Sequence, residues 1–516
     1  MIGEKWARRI SALVIMSGFV YSIYLLGHVQ DEVFYSCDGG IKALLVKQYC
    51  QKGFGVTLDI EAQEWVKEIW DQGFYPFHPP FVYELDKGYV SSFPIFLAAL
   101  TAFFYKPFGL YGLYVIPTAS LWALWIMFRQ VAQRLDLREE IVAISLAVMV
   151  FASPLTLYGA MFWEHTLGVL LTFCGAAFLL TYREKKCRGR GLVCGILAAL
   201  SVCFRSEALV LVAAYAVLSI YLYLRHDFTN ARFFLVGMTL GLAGLLLFNT
   251  QAYGHPLGVH SLQVLEDYSL LGDFGARLRI LQALLTGLFQ SFQVLIFILI
   301  YMPALYFARR RETTSAHAHI AFICAFFVLG VPFVLPGIGG KQWGPRFLLP
   351  LIPLFCLLIG ICLRRLLDQP AKCVKYALLS IFVAAFGLGV YRNTIQGSVH
   401  LAEDYNLRVK PALDFLRQSD GVCAVVVHQE IAQELAGAFE TTPMFLARSD
   451  SELESLTNTL SRNGIRKFLL LTYPTDGIAI GPDYSPGARM NVNEFGIVGS
   501  YKIFQLELSK GGLSPN

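Results

Sequence analysis

RRISALVIMSGFVYSIYLLGHVQDEVFYSCDGGIKALLVKQY, residues 8–49, is the stretch whose reading decides the fold. Its first part is an apolar run near 8–27 behind a basic flank of Lys5, Arg8 and Arg9, long enough to cross a hydrocarbon core of about 30 Å. No small-residue cleavage pattern follows, so the run reads as a retained first helix rather than a signal peptide. What comes next is unusual beside a membrane. Asp38 stands before two glycines, and an apolar pattern carrying Lys42 and Lys47 starts there.

The rest of the chain extends the first reading. Of 516 residues, 56% are hydrophobic and only 15% charged, and the mean hydropathy is +0.54. Soluble proteins carry about 25% charged residues, so most of this chain belongs in lipid. Apolar runs recur near 8–27, 112–128, 141–160, 165–182, 191–205, 207–224, 233–250, 286–307, 318–336, 346–363 and 374–391. Basic clusters lie between them, at Arg129, Arg134 and Arg138, at Arg183 to Arg190, at Arg225 and Arg232, at Arg309 to Arg311, and at Arg364 to Lys375. If each run spans once, all of these clusters fall on one side, as the excess of Lys and Arg in cytoplasmic loops requires. One further run, 90–105, breaks that parity and is read as a juxtamembrane or re-entrant helix on the outer side. The expectation is about 11 spans, or about 12 if 90–105 also crosses. An odd number leaves the tail outside an inner or plasma membrane.

Composition divides the chain further. Residues 28–111 form a long outer loop rich in aromatics (Trp65, Trp70, Phe74, Tyr75) and prolines (Pro76, Pro79, Pro80), and such aromatics favour the membrane interface. From about 392 the pattern turns soluble. VCAVVVH (422–428) and RKFLLLTY (466–473) read as buried strands, with the amphipathic helix SELESLTNTLSRNG (451–464) between them. The expected fold is therefore mainly α, a polytopic membrane protein over 1–391 with a small α/β extracytoplasmic domain over 392–516. The chain has no Walker motif, no His-Glu-x-x-His and no Cys-x-x-Cys. That argues against an ATP-driven pump and a zinc protease, and no nucleic-acid partner is expected.

Ionisable residues at the mouths of spans are costly, so each is a candidate for function. MFWEHTLG (161–168) brings Glu164 and His165 to an outer turn, CFRSEAL (203–209) brings Arg205 and Glu207, and GGKQWGPRFLLP (339–350) brings Lys341 and Arg346. With Asp31, Glu32 and Asp38 they make a polar collar on one face. Each also has a plainer reading. Asp38 fits an N-cap, Glu164 fits the cap of a span, and Arg205 with Glu207 fits an ion pair that only fixes a turn. Arg346 fits a snorkelling side chain, and His165 and His260 fit interfacial histidines. Asp31 and Glu32 fit a stop to the first span. Together, carboxylates and guanidinium groups on one face suit a reaction that deprotonates an alcohol while a phosphate departs, and arginine pairs with phosphate in bidentate fashion.

The first loop resembles that of the multi-spanning GT-C type glycosyltransferases, among them the protein O-mannosyltransferases and the lipid A aminoarabinose transferases. DGGIKALLVKQYCQKG (38–53) has the shape of their acid-led juxtamembrane helix, and FPIFLAALTAFFYKPFG (93–109) that of their proline-led second one. The resemblance implies a polyprenyl-phosphate-linked sugar as donor, with Asp38 as catalytic acid position and Glu164 at a second acidic position. Arg346 and Arg205 are then phosphate partners by location, and Lys87 a weaker one. Where that family often has Asp-Glu, this chain has Asp38-Gly39; the literal pair Asp31-Glu32 ranks second.

The reading is a transferase moving a hexosyl or pentosyl group from a polyprenyl-phosphate carrier to a glycan, lipid or protein acceptor on the outer face, with inversion. Asp38 and Glu164 are the catalytic candidates. Arg346, Arg205, Lys341, Lys87, Lys42 and His165 are the candidates for binding substrate and lipid phosphate, and Asp31, Glu32, Glu207 and His260 stand behind them. No metal ligand set is visible, although a divalent metal bridging carboxylate and phosphate is compatible with this chemistry. The alternatives are a transporter or flippase of lipid-linked saccharides and a polysaccharide ligase or polymerase. A transporter would place its site near the midplane between repeated halves, and no internal repeat is present.

Overall fold

A computed structural model describes residues 2–181, 188–226, 229–259, 262, 273–308, 315–335, 337–419, 423–476 and 490–508. Among them, seven helical segments are long and apolar enough to cross a membrane: Trp6–Leu26, Ile95–Arg134, Ala208–Arg225, Asn230–Tyr253, Ala316–Phe333, Arg346–Leu367 and Lys372–Gln418. The pair Phe274–Ser291 and Leu295–Tyr301, bent by 106°, makes an eighth if counted as one span. The chain is an integral multi-pass membrane protein. Several apolar runs fold into shorter helices than their lengths predict. Glu139–Phe151 and Arg188–Leu200 have 13 residues each, about 20 Å at 1.5 Å per residue, and each ends in an irregular turn.

Contacts group the chain differently from its linear order. One compact unit is Met1–Leu26 with Tyr114–His400, and the other is Gly27–Leu113 with Leu401–Asn516.

The first unit is helical, and small residues set its closest approaches. A Cβ on Gly195 would lie 2.1 Å from the Phe234 carbonyl oxygen, and one on Gly237 equally close to that of Leu192. Glycine thus lets Arg188–Leu200 and Thr229–Tyr253 pack backbone to backbone, as expected where lipid supplies no hydrophobic drive between helices.

The second unit joins the first loop to the tail. Its five-stranded sheet has the order β4-β3-β5-β7-β6, built from β3 (Cys423–Val426), β4 (Met444–Leu446), β5 (Lys467–Thr472), β6 (Met490–Val498) and β7 (Tyr501–Leu508). β3 pairs in parallel with β4 and β5, and β7 is antiparallel to β5 and β6. The helix expected at 451–464 is Asp450–Arg462, capped by the Ser449 hydroxyl accepting from the Glu452 N–H and followed by Gly464 at φ +78°. In the first loop, β1 (Val82–Leu85) and β2 (Gly88–Ser91) form a hairpin.

The helix that follows Ser36 corrects the cap expected at Asp38. It runs Cys37–Gln51, so Ser36 holds the N-cap position, and Asp38 and both glycines lie inside the first turn. Residues Asp38 to Val46 are all buried, because Ile95–Phe108 packs on this helix and the short helix Gln429–Glu434 covers its start. Gly40 is required by that cover, since a Cβ there would sit 1.8 Å from the Gln433 carbonyl oxygen.

Candidate active site

In the first unit, three separate stretches converge. Glu164 directly precedes the helix His165–Thr181, and its carbonyl accepts the first helical bond from Gly168, so the cap position expected of it is real. Arg205 sits in the turn between Arg188–Leu200 and Ala208–His226, and Gly168 leaves room for its side chain, whose Cγ would be 3.1 Å from a Cβ there. Its Nη1 donates to Glu164 at 3.1 Å and its Nε to Glu207 at 2.8 Å. Both carboxylates are 2% exposed. Burial alone would lower the pKa of Arg205, but the Glu207 and Glu164 carboxylates more than offset it and raise it. The guanidinium therefore stays charged, shared between two buried acids.

Arg346 begins the 3₁₀ turn Arg346–Leu351. Its guanidinium lies 5.4 Å from the centre of the Trp163 ring and 5.2 Å from that of Phe347, while Arg205 lies 5.3 Å from Phe347. His165, Gly168, Arg205, Glu207 and Arg346 line one pocket with Leu349 and Pro350. His165 is 3% exposed and packed between Tyr158 and Trp163, with ring centres at 5.2 and 4.8 Å. Trp163 and Phe347 are the rings on which the arginines rest and were not singled out from the sequence. The available signal was position, since each is the immediate neighbour of a charged candidate.

The second unit holds the first-loop candidates. Asp38 is buried and hydrogen-bonded with the Ser36 hydroxyl. Beside it, burial raises the Cys37 thiol pKa, with Asp38, Glu434 and Glu430 adding to the shift. Lys42 is fully buried, its ammonium 5.0 Å from the centre of the Phe93 ring. Asp31 and Glu32 adopt left-handed backbone at φ +48° and +59°; Asp31 pairs with Lys410 and Glu32 with Arg417 at 3.2 Å, both in the tail, and Glu32 also pairs with Lys47 of the first-loop helix at 2.8 Å. They fasten the first loop. Lys87 is exposed at the hairpin tip between β1 and β2, Lys341 lies in the loop before Arg346, and His260 lies outside the described residues.

Among the described residues, no three His, Cys, Asp or Glu side chains gather to hold a metal ion. Glu164 and Glu207 each give one carboxylate oxygen to Arg205.

The fold of the chain is similar to that of a membrane protein of known structure. Two crystal structures carry the likeness, both of ArnT from Cupriavidus metallidurans. The form bound to undecaprenyl phosphate aligns with a TM-score of 0.57 and 13% identity over 98% of this chain and 99% of that one. The apo form aligns with a TM-score of 0.54 and 13% identity over 98% of each. No family model and no curated protein sequence matches the chain.

Proposed function

We propose that this protein transfers a sugar from a polyprenyl-phosphate carrier to an acceptor hydroxyl on the extracytoplasmic face of the membrane. The observation that carries the reading is Arg346 set on Trp163 and Phe347 beside the buried Glu164–Arg205–Glu207 cluster, in a fold shared with a protein crystallised with undecaprenyl phosphate.

The geometry divides the labour of the two arginines. Arg205 is neutralised by two carboxylates, which leaves little positive potential for a phosphate, so it is a positioning residue that fixes Glu164 and Glu207. Arg346 is assigned as the anion ligand, because its guanidinium lies over the Trp163 and Phe347 rings and lines the pocket beside the cluster, and arginine pairs with phosphate in bidentate fashion. In the reaction, the acceptor oxygen bonds to the anomeric carbon and its proton passes to a carboxylate base, the role that the Asp38→Asn variant tests. The bond from that carbon to the phosphate oxygen breaks, and its electron pair leaves on the lipid phosphate. Attack without a protein nucleophile inverts the anomeric centre. Asp38 is assigned as the base because it leads the first-loop helix and its carboxylate is hydrogen-bonded by the Ser36 hydroxyl. No step is routed through a metal, and activity kept in EDTA is the expected result.

The test is purified protein with a panel of polyprenyl-phosphate sugars, measuring sugar release. Asp38→Asn is expected to lose about 10²- to 10⁴-fold in rate, the usual share of general-base catalysis. Unchanged release in that variant removes Asp38 from the mechanism. Arg346→Ala is expected to weaken retention of the lipid phosphate, and equal donor affinity in that variant removes Arg346.

A further inference from the structure

The loop 337–345 that delivers Arg346 has almost no regular structure, yet its end is anchored at one residue. The Trp343 carbonyl accepts from the Tyr158 hydroxyl at 3.1 Å, and its indole N–H donates to Asn393 Oδ1 at 3.1 Å. The ring packs on His400, centres 5.2 Å apart, with the Arg392 guanidinium 5.4 Å from its centre.

Asn393 is in turn fixed by three helix ends. It is 2% exposed, in the π-helical turn Tyr391–Gln396, and its Nδ2 lies 3.1, 2.8 and 3.0 Å from the carbonyls of Ala152, Ser291 and Gly389. Those carbonyls close Glu139–Phe151, Phe274–Ser291 and Lys372–Val390. A nitrogen facing three acceptors settles which way the amide points, so its oxygen must face a donor, and the Trp343 indole supplies it. Between Trp343 and Arg346 the chain has little freedom. Gly344 has φ +73° and passes so near Ser291 that a Cβ would meet its Oγ at 2.7 Å, and the next residue is Pro345. The Arg346 N–H then donates to Gln342 Oε1 at 3.3 Å.

We propose that Trp343 and Asn393 form a latch that sets the place of Arg346, making both of them positioning residues for the phosphate end of the donor. The inference rests on the reading of Arg346 given above. An arginine on an untied loop would have to be ordered by each incoming phosphate, and the latch removes that cost before binding.

The variant that isolates the latch is Trp343→Phe, which keeps an aromatic ring and deletes only the indole donor. Undecaprenyl phosphate affinity, KM and kcat with a polyprenyl-phosphate sugar, and thermal midpoint are measured for wild type, Trp343→Phe, Arg346→Ala and the double variant. The single change is expected to weaken undecaprenyl phosphate binding and raise KM about tenfold, the scale of one lost hydrogen bond, with kcat and the midpoint little changed. In the Arg346→Ala background the same change should add nothing, because its effect passes through the arginine. Unchanged binding in Trp343→Phe, or a full additive loss in the double variant, overturns the latch. A fall in the midpoint with KM unmoved does the same, since a merely structural tie behaves that way. Amide hydrogen exchange over 337–346 needs no activity and is expected to speed up in Trp343→Phe; unaltered exchange also overturns the proposal. Wild-type protein that neither binds undecaprenyl phosphate nor releases sugar would instead remove the assigned function.

Discussion

At the scale of single residues, the cost of burying charge explains most of what is seen. Arg205 satisfies Glu164 and Glu207 together, and removing one member of a buried ion cluster leaves the others uncompensated, at about 3–5 kcal/mol. Arg205→Met is therefore expected to lower thermal stability by that order, whereas an arginine serving only as a phosphate ligand would lower binding alone; a thermal-shift measurement without substrate separates the two. His78 offers a pH readout in the second unit. Its backbone N–H donates to Gln429 Oε1 at 2.9 Å, and burial lowers its pKa despite the bond to the Pro79 carbonyl. The folded chain then binds that proton less readily than the unfolded one, so stability falls as pH drops through the unfolded value of about 6.5. Protection factors over 75–82, taken relative to the intrinsic exchange rate at each pH, are expected to fall between neutral pH and pH of about 5.5, and His78→Gln should abolish that fall.

Among the elements, the helix Cys37–Gln51 is the one whose surroundings the sequence concealed. The acid, the glycines and the helical period were legible in DGGIKALLVKQY, and they located the helix to within a residue or two. What covers it was not legible, because the covering helix Gln429–Glu434 lies almost 400 positions away in the chain and carries no pattern that points back. Gly40 is the residue that records the contact. Gly40→Ala would drive a methyl into the Gln433 carbonyl and is expected to cost about 3 kcal/mol or more. Gly244→Ala, in a helix with nothing within 4 Å of the added Cβ, should be close to neutral. Equal melting points for these two variants would contradict the packing described. The same distance in sequence hid the roles of Asp31 and Glu32, whose partners Lys410 and Arg417 cannot be paired with them by spacing.

For the whole molecule, membrane residence follows from composition alone. From the parity of the basic clusters we propose that the tail lies outside the cytoplasm, so a reporter fused after residue 400 is expected to read as extracytoplasmic; a cytoplasmic signal would reverse the orientation and the face proposed for the acceptor. The sequence by itself determined that this is a multi-pass membrane protein with a small sheet-bearing tail, because hydropathy and strand patterns are local properties that each segment carries with it. It also determined which acids and arginines stand at helix ends, since charge is costly in lipid wherever it occurs. Only the tertiary structure decided that Glu164 and Glu207 share Arg205 and that Arg346 rests on Trp163 and Phe347. The grouping of the first loop with the tail was decided there too. Those pairings depend on which distant helices approach closely enough to exclude water, and that is fixed by complementary packing such as Gly168 beneath Arg205 and Gly40 against Gln433, which no one-dimensional period encodes.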